Sequence, residues 1–332
     1  MNNRKIIAKT VFMFTALILV FVIVYSGLQI LESTVFFKDQ TDRNEELTQP
    51  AQTKSVYRDG VRYFPRQDIM VMMILGVDRE GKAQAGVPNQ SGAADMITLM
   101  VFDEKTQECT LLCLNRDTMV YMPKLNEYGK EVGTRYGQLA LSHSYGTGLE
   151  DSCENTRKTV SALLNGVEID HYYAMNMDAI SMLNDAVGGV TVTVNDDFSE
   201  VDPSLQKGRM KLDGRQAVLF VQSRRNVGNQ LNLSRMDRQK EYMRGFVSAL
   251  QAKLDQGAGA TLELYEGVSE YIVTDCSAAV MSRLMEDYGD YTLGQVISLP
   301  GSNVLGEKYY EFHLDQEAVE ELVLELFYAP VQ

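Results

Sequence analysis

Cysteine and histidine are scarce in this chain, with four of the first and three of the second among 332 residues. No C-x-x-C pair occurs, and Cys109 and Cys113 lie in one apparent strand, too far apart to bridge without breaking it. Cys153 and Cys276 remain able to pair or to stay as isolated buried thiols, and no disulfide framework is expected. His143, His171 and His313 lack the spacing of a metal-ligand motif. Positive charge is short as well. Lys and Arg number 31 against 45 Asp and Glu, a net charge of −14, which argues against a nucleic-acid partner. The sequence contains no internal repeat and no low-complexity tract. With 45% hydrophobic and 9% aromatic residues it has the composition of a folded protein of one large or two ordinary domains.

Charge disappears altogether between Thr10 and Leu31 (TVFMFTALILVFVIVYSGLQIL). That length spans a bilayer as a helix, exceeds the apolar core of a cleavable signal, and is followed by no A-x-A site. A buried helix and a cleaved signal are the alternatives. Arg4, Lys5 and Lys9 precede the segment, so residues 1–9 are expected in the cytoplasm and the body of the chain outside. Residues 32–66 are polar and mixed in charge, and read as a stalk from the membrane anchor.

The folded region opens with Ile69 to Leu75, an apolar run typical of a strand buried on both faces. Met96 to Phe102 and Cys109 to Leu114 read as two further strands, joined by a short polar turn into an antiparallel hairpin. Asp95 then shares a sheet end with Arg116 and Asp117. Asp78 joins them if the first strand also runs antiparallel to the second. Two acids and an arginine there suit a cation with a phosphate, or simple salt bridging between loops. Further on, Ser234 is a good N-cap with Asp237 three residues later, and Met236, Tyr242, Met243, Phe246 and Leu250 recur at helical spacing. Arg235, Arg238 and Gln239 thus fall on one face of a first helical turn, close behind Arg224 and Arg225. Cations are unfavourable at a helix N-terminus unless an anion or neighbouring acids accompany them. Strands and helices intermix along the whole chain, predicting an α/β sandwich with helices over a mixed central sheet. Residues 256–332 are expected to pack onto the same domain.

From about residue 69 to 254 the chain resembles the LytR-CpsA-Psr family of bacterial cell-envelope proteins. The resemblance rests on Leu75-Gly76-Val77-Asp78-Arg79, Asp95, Asn115-Arg116-Asp117-Thr118, Ile169-Asp170-His171-Tyr172-Tyr173, Asp185 to Val192, Leu212 to Ala217, and Arg235-Met236-Asp237-Arg238-Gln239. It implies an α/β/α sandwich with an apolar lipid tunnel, set as a catalytic domain at residues 67–255. It implies a membrane-anchored extracytoplasmic phosphotransferase, moving a glycopolymer from a polyprenyl-pyrophosphate carrier to peptidoglycan. Teichoic acids and capsular polysaccharides are the implied substrate classes. By the resemblance Asp78 and Asp95 are ligands of Mg²⁺ or Mn²⁺. Arg116, Arg224, Arg235, Arg238 and Gln239 bind the pyrophosphate, the catalytic arginines being Arg116, Arg224 and Arg235, and Asp117 orients Arg116. Met70, Met72, Met73, Met175 and Met177 are candidates for the tunnel lining or for ordinary core packing. The chain departs from the family pattern at Gln222, where an arginine is usual, at Asn232, where an acid is usual, and at Gln138-Leu139-Ala140. These departures leave a non-catalytic lipid binder and a lipid pyrophosphatase as alternative functions.

Overall fold

The computed structural model describes residues 55–330 except 88–89, 229–231, 255–267, 278–279, 281–282, 285–286 and 290. The apolar segment 10–31, the tail before it and the stalk up to residue 54 lie outside the described residues. No helix among those described is long and apolar enough to cross a membrane.

In chain order the first strands are β1 (Val56–Arg58), β2 (Val61–Pro65), β3 (Ile69–Val77), β4 (Ala94–Asp103), β5 (Glu108–Leu114), β6 (Met119–Leu125) and β7 (Glu131–Gln138). Then come α1 (Leu141–Ser144), α2 (Glu150–Leu163), β8 (His171–Asn176), α3 (Met177–Ala186), β9 (Val190–Val194) and β10 (Gly208–Leu212). They are followed by α4 (Gly214–Gln222), α5 (Asn232–Leu254), β11 (Ile272–Thr274) and β12 (Thr292–Ser298). The last elements are β13 (Gly301–Leu305), β14 (Tyr310–Leu314), α6 (Gln316–Phe327) and β15 (Tyr328–Pro330).

The central sheet has six strands in the order β11-β8-β3-β4-β5-β12. β3 and β4 pair antiparallel, as do β4 and β5, whereas β3 runs parallel to β8 and β5 parallel to β12. Its side chains alternate between two cores. Met70, Met72, Ile74, Met100 and Phe102 pack on one face against Leu183 of α3, Phe220 of α4, and Phe246 and Leu250 of α5. Val71, Met73, Leu75, Leu99 and Val101 pack on the other against Cys153 and Val160 of α2 and Val319, Val323 and Phe327 of α6. Burial on both faces is why β3 reads as an unbroken apolar run. The fold is mixed α/β with helices on both sides of a mixed sheet. Residues after 267 supply both of its edge strands.

Several boundaries differ from the sequence reading. Residues 56–65, read as part of a stalk, instead form a β-hairpin whose second strand pairs with β15. Asp59 and Gly60, at φ 50° and 78°, make the two-residue turn that an Asp-Gly pair favours. That turn chemistry and the flanking valines and aromatics outweigh the mixed charge of the segment. The helix expected at Ser234 begins at Asn232, whose side chain is buried and bonded within its first turn. The four cysteines are all buried and free. A solvent-facing ribbon, β6–β7, was not legible, since Glu131–Gln138 is mostly exposed and lacks an apolar face of its own.

Gly245 decides how closely α5 approaches β9. A Cβ at this position would stand 2.3 Å from the Thr191 carbonyl oxygen and 2.9 Å from Val190 Cγ1. Gly245→Ala is therefore expected to destabilise the protein by about 1–3 kcal/mol, despite the better helix propensity of alanine. A thermal melt should fall by several degrees, and an unchanged midpoint would show that the helix can shift without cost.

Candidate functional site

Antiparallel β3, β4 and β5 place Asp78, Asp95, Arg116 and Asp117 at one end of the sheet. Asp95 reaches the site because it is the extra residue of a β-bulge: Gly76 pairs with Met96, but Val77 pairs with Ala94. In strict alternation Asp95 would point with Ile97 and Leu99 into the α2/α6 core. The bulge turns it to the opposite face, where it lines a cavity with Ile74 and Met96. The second half of the site comes from the α4–α5 junction. Asp213 and Gln216 close a capping box at the start of α4, and the helix ends at Gln222 just before Arg224. The first turn of α5 brings Asn232 and Arg235 into the same cluster.

Asp95 is only 7% exposed and sits between two guanidiniums, with Arg235 Nη1 at 2.7 Å from Oδ2 and Arg116 Nη1 bonded to Oδ1. Asp117, 1% exposed, lies 3.5 Å from Arg116 Nε and 3.6 Å from Arg224 Nη1, and accepts from Gln138 Nε2 at 3.0 Å. Burial pushes the Asp117 carboxyl above its usual range, against the pull of Arg116, Arg224 and Arg235. Burial likewise lowers the pKa of Arg235, with Asp95 opposing, but a guanidinium stays charged in proteins. Three arginines thus face two buried carboxylates, an excess of one positive charge. Arg116 Nε, Arg235 Nε and Asn115 Nδ2 are buried without a hydrogen-bond partner. Buried donors left unbonded are costly, and an anionic oxygen is the chemical partner they lack.

Beside the cluster lies a cavity of about 100 Å³ lined by Met175, Met177, Ile180, Leu183, Met243 and Phe246, among others. Asp95, Gln222 and Gln239 are its polar members. Of the five methionines considered for a tunnel, Met175 and Met177 line this cavity. Met70 and Met72 pack in the core on the same face, and Met73 lies on the other face of the sheet.

The structure does not bring every candidate together. Arg238 donates to the Phe220 and Ser223 carbonyl oxygens and to Asp196, and stacks over Phe198. Those carbonyls belong to the C-terminal end of α4, where a cation is favoured. Its donors are turned to α4 and the loop after β9, away from Asp95. Gln239 donates to the Val221 carbonyl at 3.2 Å. Arg224 is the most accessible arginine of the cluster, at 38%.

Residues that the sequence marked only as departures have definite partners. Asn232 donates to Asn115 Oδ1 at 2.6 Å and accepts from Arg235. Gln138 links Asp117 to the Tyr310 carbonyl. Gln222 donates to Asp78 Oδ1 at 3.0 Å. A motif search sees the type of such a residue, whereas its partner lies up to 172 positions away. The same holds for His171, which lacks metal-ligand spacing in the sequence and stands in space with Asp275 and Cys276.

Asp78 and Asp95, at the same end of the sheet, offer carboxylate oxygen, the donor type a hard divalent cation takes. Asp78 is exposed. A carboxylate offers about four lone-pair sites, so Asp95 can hold a cation while keeping both arginines. In donor type these residues fit such an ion.

Comparison with known proteins places the chain in a family. The description "LytR_cpsA_psr family" matches residues 27–327. The polyisoprenyl-teichoic acid–peptidoglycan teichoic acid transferase TagU of Enterococcus faecalis is 27% identical over 217 residues, covering 65% of each chain. TagU of Bacillus subtilis is 25% identical over 283 residues, 82% of each chain. The match to the Enterococcus protein thus spans just under two thirds of that relative's length. Among solved structures, TagT bound to LI-WTA has a TM-score of 0.56 at 24% identity, over 78% of this chain and 90% of that one. Protein gbs0355 of Streptococcus agalactiae has a TM-score of 0.63 at 20% identity, over 78% and 87%. At these identities the structural likenesses speak for the mixed α/β fold. With a family match that runs through both halves of the site, the chain belongs to the LytR_cpsA_psr family.

Proposed function

We propose that this protein is an extracytoplasmic phosphotransferase that moves a glycopolymer from a polyprenyl-pyrophosphate carrier to peptidoglycan. The observation that carries the reading is an apolar cavity whose polar members adjoin buried arginines with unbonded donors. That arrangement suits an amphipathic ligand with an anionic head and a hydrocarbon tail. The TagU relatives, named as teichoic acid transferases, favour transfer to peptidoglycan over other fates of such a lipid. In this reading the segment 10–31 anchors the chain, with residues 1–9 in the cytoplasm and the site on the outer side.

Arg116, Arg224 and Arg235 would grip the pyrophosphate oxygens, where charge must be neutralised as the phosphoryl group transfers. The acceptor hydroxyl oxygen bonds to the phosphorus that bears the glycan. The phosphorus–oxygen bond to the lipid side breaks, and polyprenyl phosphate leaves with that electron pair. Asn232 carries no base, so the hydroxyl proton passes to phosphate oxygen or solvent. Mg²⁺ held by Asp78 and Asp95 would supply further charge neutralisation at the pyrophosphate. Gln239 forms part of the cavity wall, and Arg238 holds the end of α4 so that Arg224 faces Asp117.

Full-length protein in detergent, mixed with polyprenyl-pyrophosphate glycan, peptidoglycan oligomers and Mg²⁺, should yield a phosphodiester-linked adduct by mass spectrometry. Bound lipid without adduct would instead favour a non-catalytic binder, the reading that neutral Gln222 and Asn232 support. A free glycan phosphate without adduct would identify a pyrophosphatase. Gln222→Arg adds a guanidinium beside Asp78 and is expected to raise turnover about tenfold, a barrier change of about 1.4 kcal/mol. An unchanged rate would mean that the absent arginine is compensated or irrelevant. Ile180→Trp fills the cavity and should weaken binding of the lipid at least about tenfold. Binding of inorganic pyrophosphate should remain, and equal loss of both ligands would separate the cavity from the lipid tail.

A further inference from the structure

We infer that His171, Asp275 and Cys276 form a zinc-binding site where the edge strand β11 joins β8. The antiparallel register pairs Thr274 with Tyr173, and continuing it by two residues sets Cys276 opposite His171. One imidazole nitrogen, one carboxylate oxygen and one thiol sulfur lie within 4.8 Å of one another. His171 Nδ1 is 3.5 Å from Asp275 Oδ1, and Cys276 Sγ is 3.7 Å from the same oxygen. Ligands of one tetrahedral zinc, at its usual bond lengths, are about 3.4–3.6 Å apart. The two separations to Asp275 Oδ1 are close to that spacing, and all three donor atoms lie near enough for one ion to draw them together.

His171 Nδ1 provides an independent reason. It is buried and has no well-aligned hydrogen bond, its partner being Asp275 Oδ1 in a 3.5 Å ion pair with an oxygen that also accepts the Tyr172 N–H at 3.0 Å. A buried nitrogen held only by that long contact has a lone pair to offer, and a cation at the centre of the three groups would take it. A thiol with an imidazole selects zinc over magnesium or calcium, which take oxygen. Cys276 is buried and free, while Asp275 is on the surface, leaving room for a water as fourth ligand and a path for the ion. The site is separate from the arginine cluster. It stands at the opening of β8, about 16 Å along the strand from the end that leads into Met177 at the cavity. Zinc there would clamp the edge strand to the strand that carries Met175.

The test uses the full-length protein in detergent, stripped with a chelator and dialysed against zinc. One zinc per chain is expected by elemental mass spectrometry, together with a higher melting temperature. Cobalt in its place should show a thiolate-to-metal charge-transfer band that Cys276→Ser removes. His171→Ala should weaken zinc binding by more than the about 10–100-fold that loss of an outer-sphere partner costs. Absence of stoichiometric zinc would overturn the proposal. So would zinc binding unchanged in Cys276→Ser, since the ion would then reside elsewhere, for example on Asp78 and Asp95. The cobalt spectrum is read on the unmodified protein, so a variant that fails to fold does not remove the test.

Discussion

Arg116→Ala is expected to lower adduct formation by about 10²–10³-fold while the protein stays folded, the usual cost of losing one group that stabilises developing negative charge. Its Nη1 engages Asp95, and its Nε is buried with no hydrogen-bond partner. Removing it leaves neither carboxylate orphaned. Asp95 keeps Arg235, and Asp117 keeps Arg224 and Gln138. The loss therefore falls on charge available to phosphate rather than on the core. Arg116→Lys should recover only part of the rate, because an ammonium is a point charge without the planar fork of a guanidinium. Product yield by mass spectrometry, beside a circular dichroism melt, checks both halves. Full activity in the alanine variant would remove Arg116 from the site, and a collapsed melt would make its role structural.

Asp95→Asn should have the largest effect on stability. Arg235, with only 3% of its side chain exposed, and Arg116 both rely on this carboxylate. An amide in its place offers one oxygen and turns an NH₂ group toward a guanidinium, donor against donor. Breaking a buried ion pair by removing one partner costs about 3–5 kcal/mol, which for a domain of this size lowers the melting temperature by about 10 °C. Arg235 then loses its bonded carboxylate and Arg116 keeps only Asp117, so an added anion can replace the missing charge. Inorganic pyrophosphate is expected to raise the melting temperature of Asp95→Asn more than that of the unmodified protein, by mass action on the folded state. If the variant melted normally, or pyrophosphate shifted both proteins equally, the arginines would not depend on Asp95.

Much of the frame was legible because its signals are local. The apolar run of β3 marked a buried strand, and the Asp103–Thr106 turn predicted β4 and β5 as an antiparallel hairpin. From that alone Asp95 shares a sheet end with Arg116 and Asp117, as the registers show. The start of α4, within the Leu212 to Ala217 stretch that carries part of the resemblance, is equally local, since Asp213 closes its cap on a residue three positions away. Less regular pieces were missed for the converse reason. β6–β7 has an exposed, glycine-containing second strand, and β1–β2 hid its Asp-Gly turn inside a stretch read for its charge.

The sequence by itself determined the central strands and the helices around them, their order, the family, and the gathering of acids and arginines at one end of the sheet. Helix caps, turns and alternation act over a few residues, and so they are written in the chain. Only the tertiary structure decided how each polar side chain is spent. It turned Asp95 to the cavity face by a single bulge and drew Arg238 to the end of α4. It also made Asn232 a bridge between Asn115 and Arg235, and set His171 against residues more than a hundred positions away. Buried charges and donors take the partners that packing brings within reach, and those partners come from distant parts of the chain.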